Sequence, residues 1–210
     1  MDSTYKFSFT AGSMLLNEAL KVAEVYLQVG DWKDTAIRVE KDNLLQRNTV
    51  SSLKRVYWEV QRRLKTLSDE EIAFLLQTTL LEDQKQMIFI SICRFYGFIR
   101  DFVLQILRQD YFSMKTILRD SDYLRFIEDI SLTHPEYGRL SEKTRKKVKQ
   151  VLLRLLVEVG LISSLHEGTI LPLIVSPDLQ KIIANNNPVE LALFLYTDSQ
   201  IKEVMGRYGQ

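Results

Sequence analysis

The chain has 210 residues, 46% of them hydrophobic and 26% charged, with a formal net charge of +1. That is enough apolar material for one large globular domain or two small ones. A net charge so near zero excludes a global field drawing the chain to nucleic acid or membrane, so any such attraction must come from local segregation of charge.

The first thirteen residues, MDSTYKFSFTAGS, lack a basic start followed by an apolar core, so no signal peptide is expected. Residues 6–10 alternate weakly and suit a short strand or an extended arm. Ser13 is then placed to cap a helix over residues 14–29, with Leu16, Leu20, Ala23 and Leu27 facing inward and Gly30 ending it. A short helix follows at about residues 32–41, and residues 42–48 lead into a longer one.

That longer helix lies in the stretch 43–64, NLLQRNTVSSLKRVYWEVQRRL. Thr49 is a suitable N-cap. At 100° per residue, Leu53, Val56, Tyr57, Val60 and Leu64 form one narrow apolar stripe. Ser51, Lys54, Arg55, Trp58, Arg62 and Lys65 fall on the opposite side, which is cationic with one aromatic ring in its middle. A tryptophan opposite its helix's own core needs a partner: another part of the protein, another subunit or a base. The short helix, connection and basic helix together resemble a helix-turn-helix pair.

Ser68 and Glu71 make a capping box that opens a helix through about residue 78. From residue 82 to 110 the chain reads as helical, rich in Ile, Phe and Leu, with Gly97 as a break. The cluster Phe95, Tyr96, Phe98 and Phe102 reads as core. So does Cys93, the single cysteine, which excludes an internal disulfide and fits a reducing compartment.

Residues 111–120 read as a connection. Ser121 is placed to cap a helix over residues 122–130, and His134 with Pro135 enforces a loop. Ser141 starts a long helix ending near Gly160, with Val148, Val151, Leu152, Leu155 and Val159 as its core stripe. Opposite lie Lys143, Lys146, Lys147, Gln150 and Arg154, flanked by Arg145 and Lys149. Residues 161–165 and 169–173, joined by His166, Glu167 and Gly168, suit a small hairpin, which would be the wing of a winged helix. Ser176 and Pro177 open a short helix and Pro188 another. The last dozen residues are polar, a frayed helix or a tail.

Cations concentrate in two places. Residues 41–65 hold seven Lys or Arg (41, 47, 54, 55, 62, 63, 65) against two acids, and residues 139–154 hold seven (139, 143, 145, 146, 147, 149, 154) against Glu142. The remainder of the chain is net acidic. Lys and Arg gathered on helix faces are the footprint of phosphate binding. Catalysis has little support. The only two histidines, His134 and His166, fall in expected loops. No phosphate-binding Gly loop, Cys-x-x-Cys or His-Glu-x-x-His occurs. No catalytic residue, metal site or cofactor is expected. Nor is membrane insertion, since no apolar run approaches the ~20 residues of a spanning helix.

The run Gly12-Ser13-Met14-Leu15-Leu16-Asn17-Glu18-Ala19-Leu20, combined with the stretch 43–64, resembles the BrxA family of bacterial BREX phage-defence systems. The similarity continues through Ile92-Cys93-Arg94-Phe95-Tyr96 and Phe98-Ile99-Arg100-Asp101-Phe102. It resumes with Thr144-Arg145-Lys146-Lys147-Val148-Lys149-Gln150-Val151-Leu152 and Glu158-Val159-Gly160-Leu161-Ile162. This resemblance implies a mainly helical, non-enzymatic component of a multi-gene system that binds double-stranded DNA, with other BREX proteins as possible partners.

The expectation is therefore a cytoplasmic, mainly α protein. It has an N-terminal helical bundle with a helix-turn-helix-like pair (residues 1–110), a winged-helix-like part with one small β-hairpin (111–196) and a tail (197–210). Duplex phosphates would be contacted by two basic helices. The candidate residues are Lys54, Arg55, Trp58, Arg62 and Lys65 on the first, and Lys143, Arg145, Lys146, Lys147, Lys149 and Gln150 on the second. The alternative is a protein-interaction scaffold docking other defence components through the same faces.

Overall fold

A computed structural model describes residues 5–209 and is mainly helical. The chain divides into two compact units, Ser8–Phe95 on one side, and residues 5–7 with 96–209 on the other.

The first unit begins with a 3₁₀ turn, Ser8–Ala11, where the sequence suggested a strand or an arm. α1 (Leu16–Val29) starts two residues later than expected. Ser13 does not cap it, because Leu15 takes the N-cap position in a left-handed conformation (φ 56°). The Ser13 carbonyl is instead held by Arg63, whose Nη1 lies 2.6 Å away. The buried stripe of α1 is Ala19, Val22, Ala23 and Val25, while Leu27, expected inside, is 41% exposed. The helix is surrounded by α2 (Trp32–Lys41), α3 (Val50–Leu64), α4 (Asp69–Gln77) and α5 (Leu81–Phe95), and small side chains admit them on more than one side.

α3 forms as its sequence dictates. The Ser52 N–H donates to Thr49 Oγ1 at 3.1 Å, and all five expected apolar residues are buried, each contributing on the order of 1.5–3 kcal/mol. The Ser68–Glu71 capping box is present at the start of α4. α5 is buried nearly all round, from Met87 to Cys93, and packs on α1, α3 and α4. The link between α2 and α3, residues 42–49, is longer than the three- or four-residue turn of a helix-turn-helix. It is organised by Asn43, whose side chain bonds the Arg47 backbone in both directions.

The second unit opens with α6 (Gly97–Phe102), a π-helical turn over Val103–Leu107, and α7 (Arg108–Phe112), one continuous helical run. Phe98 is its aromatic centre, 5.4 Å from Phe126 and 5.1 Å from Phe7, so residues 5–7 are part of this core. α8 (Asp120–Ser131) begins ahead of the expected Ser121 cap, because Asp122 reaches back to accept the Arg119 N–H at 2.8 Å. Pro135 sits in the first turn of a short helix, α9 (Pro135–Gly138), where a loop was expected.

α10 (Glu142–Val159) is capped by Ser141 and closed by Gly160 at φ 93°, a left-handed geometry natural only to glycine. The expected hairpin is reduced to single antiparallel bridges, Ile162 with Ile170 and Ile117 with Thr169. Both are too short to count as strands, and the described residues contain no longer β-pairing. The chain closes with α11 (Pro177–Asn186), a 3₁₀ stretch (Pro188–Phe194) and α12 (Asp198–Tyr208). Of the two alternatives for the last residues, a frayed helix or a tail, the chain takes the helix, α12. A capping box between Thr197 and Gln200 starts it, and Ile201 and Val204 bury it against α11 and the 3₁₀ stretch. No helix among the described residues is long and apolar enough to cross a membrane.

Candidate nucleic-acid interface

On α3 the helical period places Lys54, Arg55, Trp58, Arg62 and Lys65 outside, and all five are exposed. They are not equivalent. Lys54 Nζ lies 3.4 Å from Glu40 of α2, and Lys65 Nζ stands 5.7 Å from the centre of the Trp32 ring, itself stacked on Tyr26. Arg55 and Arg62 make no ion pair among the described residues. Trp58 is 45% exposed, and its ring makes a T-shaped contact with Tyr57, 5.5 Å between centres. These three side chains share an open depression whose remaining lining is Ser8, Thr10 and Glu59. Spacing along α3 accounts for the first three. Ser8 and Thr10 carried no signal in the sequence, because they arrive through the fold-back of the preceding turn.

One cation counted in the sequence leaves this face. Arg63 is buried, pairs with Glu59 at 2.7 Å, and donates to the carbonyls of Gly12, Ser13 and Met14. It holds the chain ahead of α1 onto α3.

On α10 the expected residues separate into two groups. Lys143, Lys146, Lys147 and Gln150 are exposed, as is Arg154 further along the same face. Lys146 pairs with Glu142 one turn back, and Lys147 donates to Gln150 at 3.1 Å, while Lys143 and Arg154 make no ion pair among the described residues. These contacts lie between well-exposed groups and compete weakly with a phosphate. Arg145 and Lys149 are half-buried and turn inward. Arg145 donates to the Gly138 carbonyl and lies 5.5 Å from the centre of the Tyr137 ring. Lys149 sits 2.9 Å from Asp120 and 5.3 Å from the centre of the Tyr123 ring. Burial and the hydrogen bond to Tyr137 push the Tyr123 phenol far above its ordinary range, so the ring facing Lys149 is a neutral one. Both residues brace α10 against α9 and α8.

A protein-family model, BrxA, matches residues 3–187, which include both basic faces. The chain belongs to the BrxA family. Relatives agree: a protein named BREX protein BrxA from Bacillus cereus (strain H3081.97) is 29% identical over 148 residues, 70% of this chain and 68% of that one. A second of the same name, from Escherichia coli O9:H4 (strain HS), is 19% identical over 182 residues, covering 87% of this chain and 85% of that one. The fold is also that of a solved crystal structure of an uncharacterized protein from Magnetospirillum magneticum. That likeness has a TM-score of 0.75 at 20% identity, over 91% of this chain and 97% of the other. The BrxA match ends before the last 3₁₀ stretch and α12.

Proposed function

We propose that this BrxA-family chain is a non-enzymatic, cytoplasmic DNA-binding component of a BREX-type phage-defence system. It contacts duplex phosphates through the exposed cations of α10, and α3 supplies a second phosphate-contacting face. The carrying observation is the division of α10 into a buried apolar stripe and an outer face bearing Lys143, Lys146, Lys147 and Arg154. Cations held outward by a packed helix release counterions from DNA without any rearrangement of the protein.

The surroundings of α10 support a winged-helix reading. A helical run (97–112), a bridging segment at Ile117, α8, α10 and a bridged loop through Gly168 follow one another in the order such a module requires. The relatives named BREX protein BrxA support the defence-system setting and make other BREX proteins plausible partners.

The test is a mobility-shift titration with a duplex across a salt series. Binding should weaken steeply with salt, and Lys143→Glu with Lys147→Glu should abolish it at physiological salt. Salt-insensitive binding, or binding unmoved by that pair, overturns the reading. The alternative, a scaffold docking other defence components through the same faces, is supported by the exposure of Trp58. It requires co-purification with those components that Trp58→Ala removes from a folded chain.

A further inference from the structure

The depression on α3 carries, besides its cations, an aromatic ring that finds no base face to stack on in an intact duplex. It is lined by two guanidiniums that make no ion pair among the described residues, Arg55 and Arg62, with the half-exposed indole of Trp58 between them along the helix. Ser8 and Thr10 complete its lining. The remaining acid, Glu59, is buried against Arg63 and does not compensate the two arginines. The depression is open to solvent and holds about 500 Å³, room for one nucleotide-sized group.

In B-DNA the faces of the bases are stacked on one another, and the grooves present only base edges. An indole offered to a duplex therefore meets sugar and phosphate and gains no stacking. An unpaired base has a free π-face, and stacking it on an aromatic side chain is the general device of single-strand recognition. The helix supplies the matching charge. Arg55 and Arg62 stand two turns apart on one side of α3, about 10 Å along its axis at 1.5 Å per residue. That separation lets each guanidinium hold a phosphate on either side of the nucleotide whose base lies over Trp58, and a guanidinium suits phosphate bidentately.

We propose that the Arg55–Trp58–Arg62 depression is a single-strand site that stacks one unpaired base of DNA on Trp58 between two phosphate contacts. It rests on the DNA-binding reading above, in which the cations of α3 meet phosphates, and adds an unpaired base as the partner of Trp58. An acidic protein surface would satisfy the arginines, but the order cation, aromatic, cation along α3 matches the phosphate, base, phosphate order of a single strand, which is why the nucleotide is preferred.

The experiment uses the full chain and four fluorescently labelled probes: oligo-dT, an abasic strand of equal length, oligo-U and a duplex. Oligo-dT should bind at least tenfold tighter than the abasic strand. Trp58→Ala should remove that difference, weakening oligo-dT about tenfold or more while leaving the abasic strand and the duplex unmoved. Trp58→Phe should retain most of the preference, and Arg55→Gln with Arg62→Gln should weaken both single strands alike. Circular dichroism checks that each variant folds.

Equal affinity for oligo-dT and the abasic strand overturns the proposal, as does a Trp58→Ala effect that is the same on duplex as on oligo-dT. A tenfold preference for oligo-U over oligo-dT overturns the choice of DNA. Failure of duplex binding with the oligo-dT preference intact sinks the duplex reading of α10 and supports the single-strand site.

Discussion

Arg63 and Glu59 form a buried pair one helical turn apart on α3, with the guanidinium and carboxylate 2.7 Å apart and both side chains 3% exposed. The same guanidinium donates to the carbonyls of Gly12, Ser13 and Met14, so every charge in the group has a partner. Arg62, its neighbour in sequence, points to solvent. Two adjacent arginines thus serve opposite ends: one fastens the chain ahead of α1 to α3, and the other lines the cationic depression.

Removing one member of a buried pair strands the other, which costs about 3–5 kcal/mol. Arg63→Ala should therefore lower the unfolding free energy of the chain by about that amount in urea denaturation. Arg62→Ala should stay within about 0.5 kcal/mol, as exposed substitutions do. Equal effects of the two would show that the pair carries no special weight.

The two groups on α10 should separate in binding experiments. Each phosphate contact adds about 0.9 to the slope of log affinity against log salt. Lys143→Gln and Lys147→Gln should each reduce the slope of duplex binding by about one contact, with no change in melting temperature. Arg145→Gln and Lys149→Gln should lower the melting temperature instead, because they detach α10 from Gly138 and Asp120. A slope that falls equally for all four would place Arg145 and Lys149 on the DNA as well.

Asp122 should make stability sensitive to acid. Burial works against its ionisation, but hydrogen bonds from the Lys115 ammonium and the Arg119 N–H, with the charges of Lys115 and Arg125, outweigh it and hold the carboxyl below its ordinary value. A carboxylate with a lowered folded pKa contributes stability that is complete above its unfolded value, near 4, and lost as pH falls through the folded one. Unfolding followed from pH 6 to pH 2 should show a loss in the acid part of that range that Asp122→Asn reduces. An unchanged acid profile in the variant would remove Asp122 from the cause.

Gly168 closes the bridged loop after α10 at φ 65°, and a Cβ there would lie 2.7 Å from the Leu118 carbonyl oxygen. The conformation is costly for a residue with a side chain, and the backbone contact leaves no room for one. Gly168→Ala should destabilise by more than about 1 kcal/mol, and differential scanning fluorimetry would show it as a lowered melting temperature. A neutral result would mean that the loop relaxes away from Leu118.

What the sequence determined alone is local. Hydrophobic period, caps and breakers sufficed for α3, α4, α10 and α11, since Thr49, Ser68, Ser141 and Ser176 each bond the backbone of their own first turn. The outward face of α3 was legible for the same reason, as helix geometry places every residue relative to a known apolar stripe. The tertiary structure decided whatever depends on distant segments. It turned the α1 stripe toward four neighbouring helices, so that Leu27 lies outside, and gave Ser13 to Arg63 rather than to a helix start. It drew Arg145 and Lys149 away from the solvent face onto Tyr137 and Tyr123, brought Ser8 and Thr10 into the lining beside Trp58, and buried Ile201 and Val204 of an otherwise polar terminal helix. A charge pattern shows which residues a helix can present. Which of them remain free is settled by partners many residues away, and pairing those partners is a long-range packing problem that periodicity does not encode.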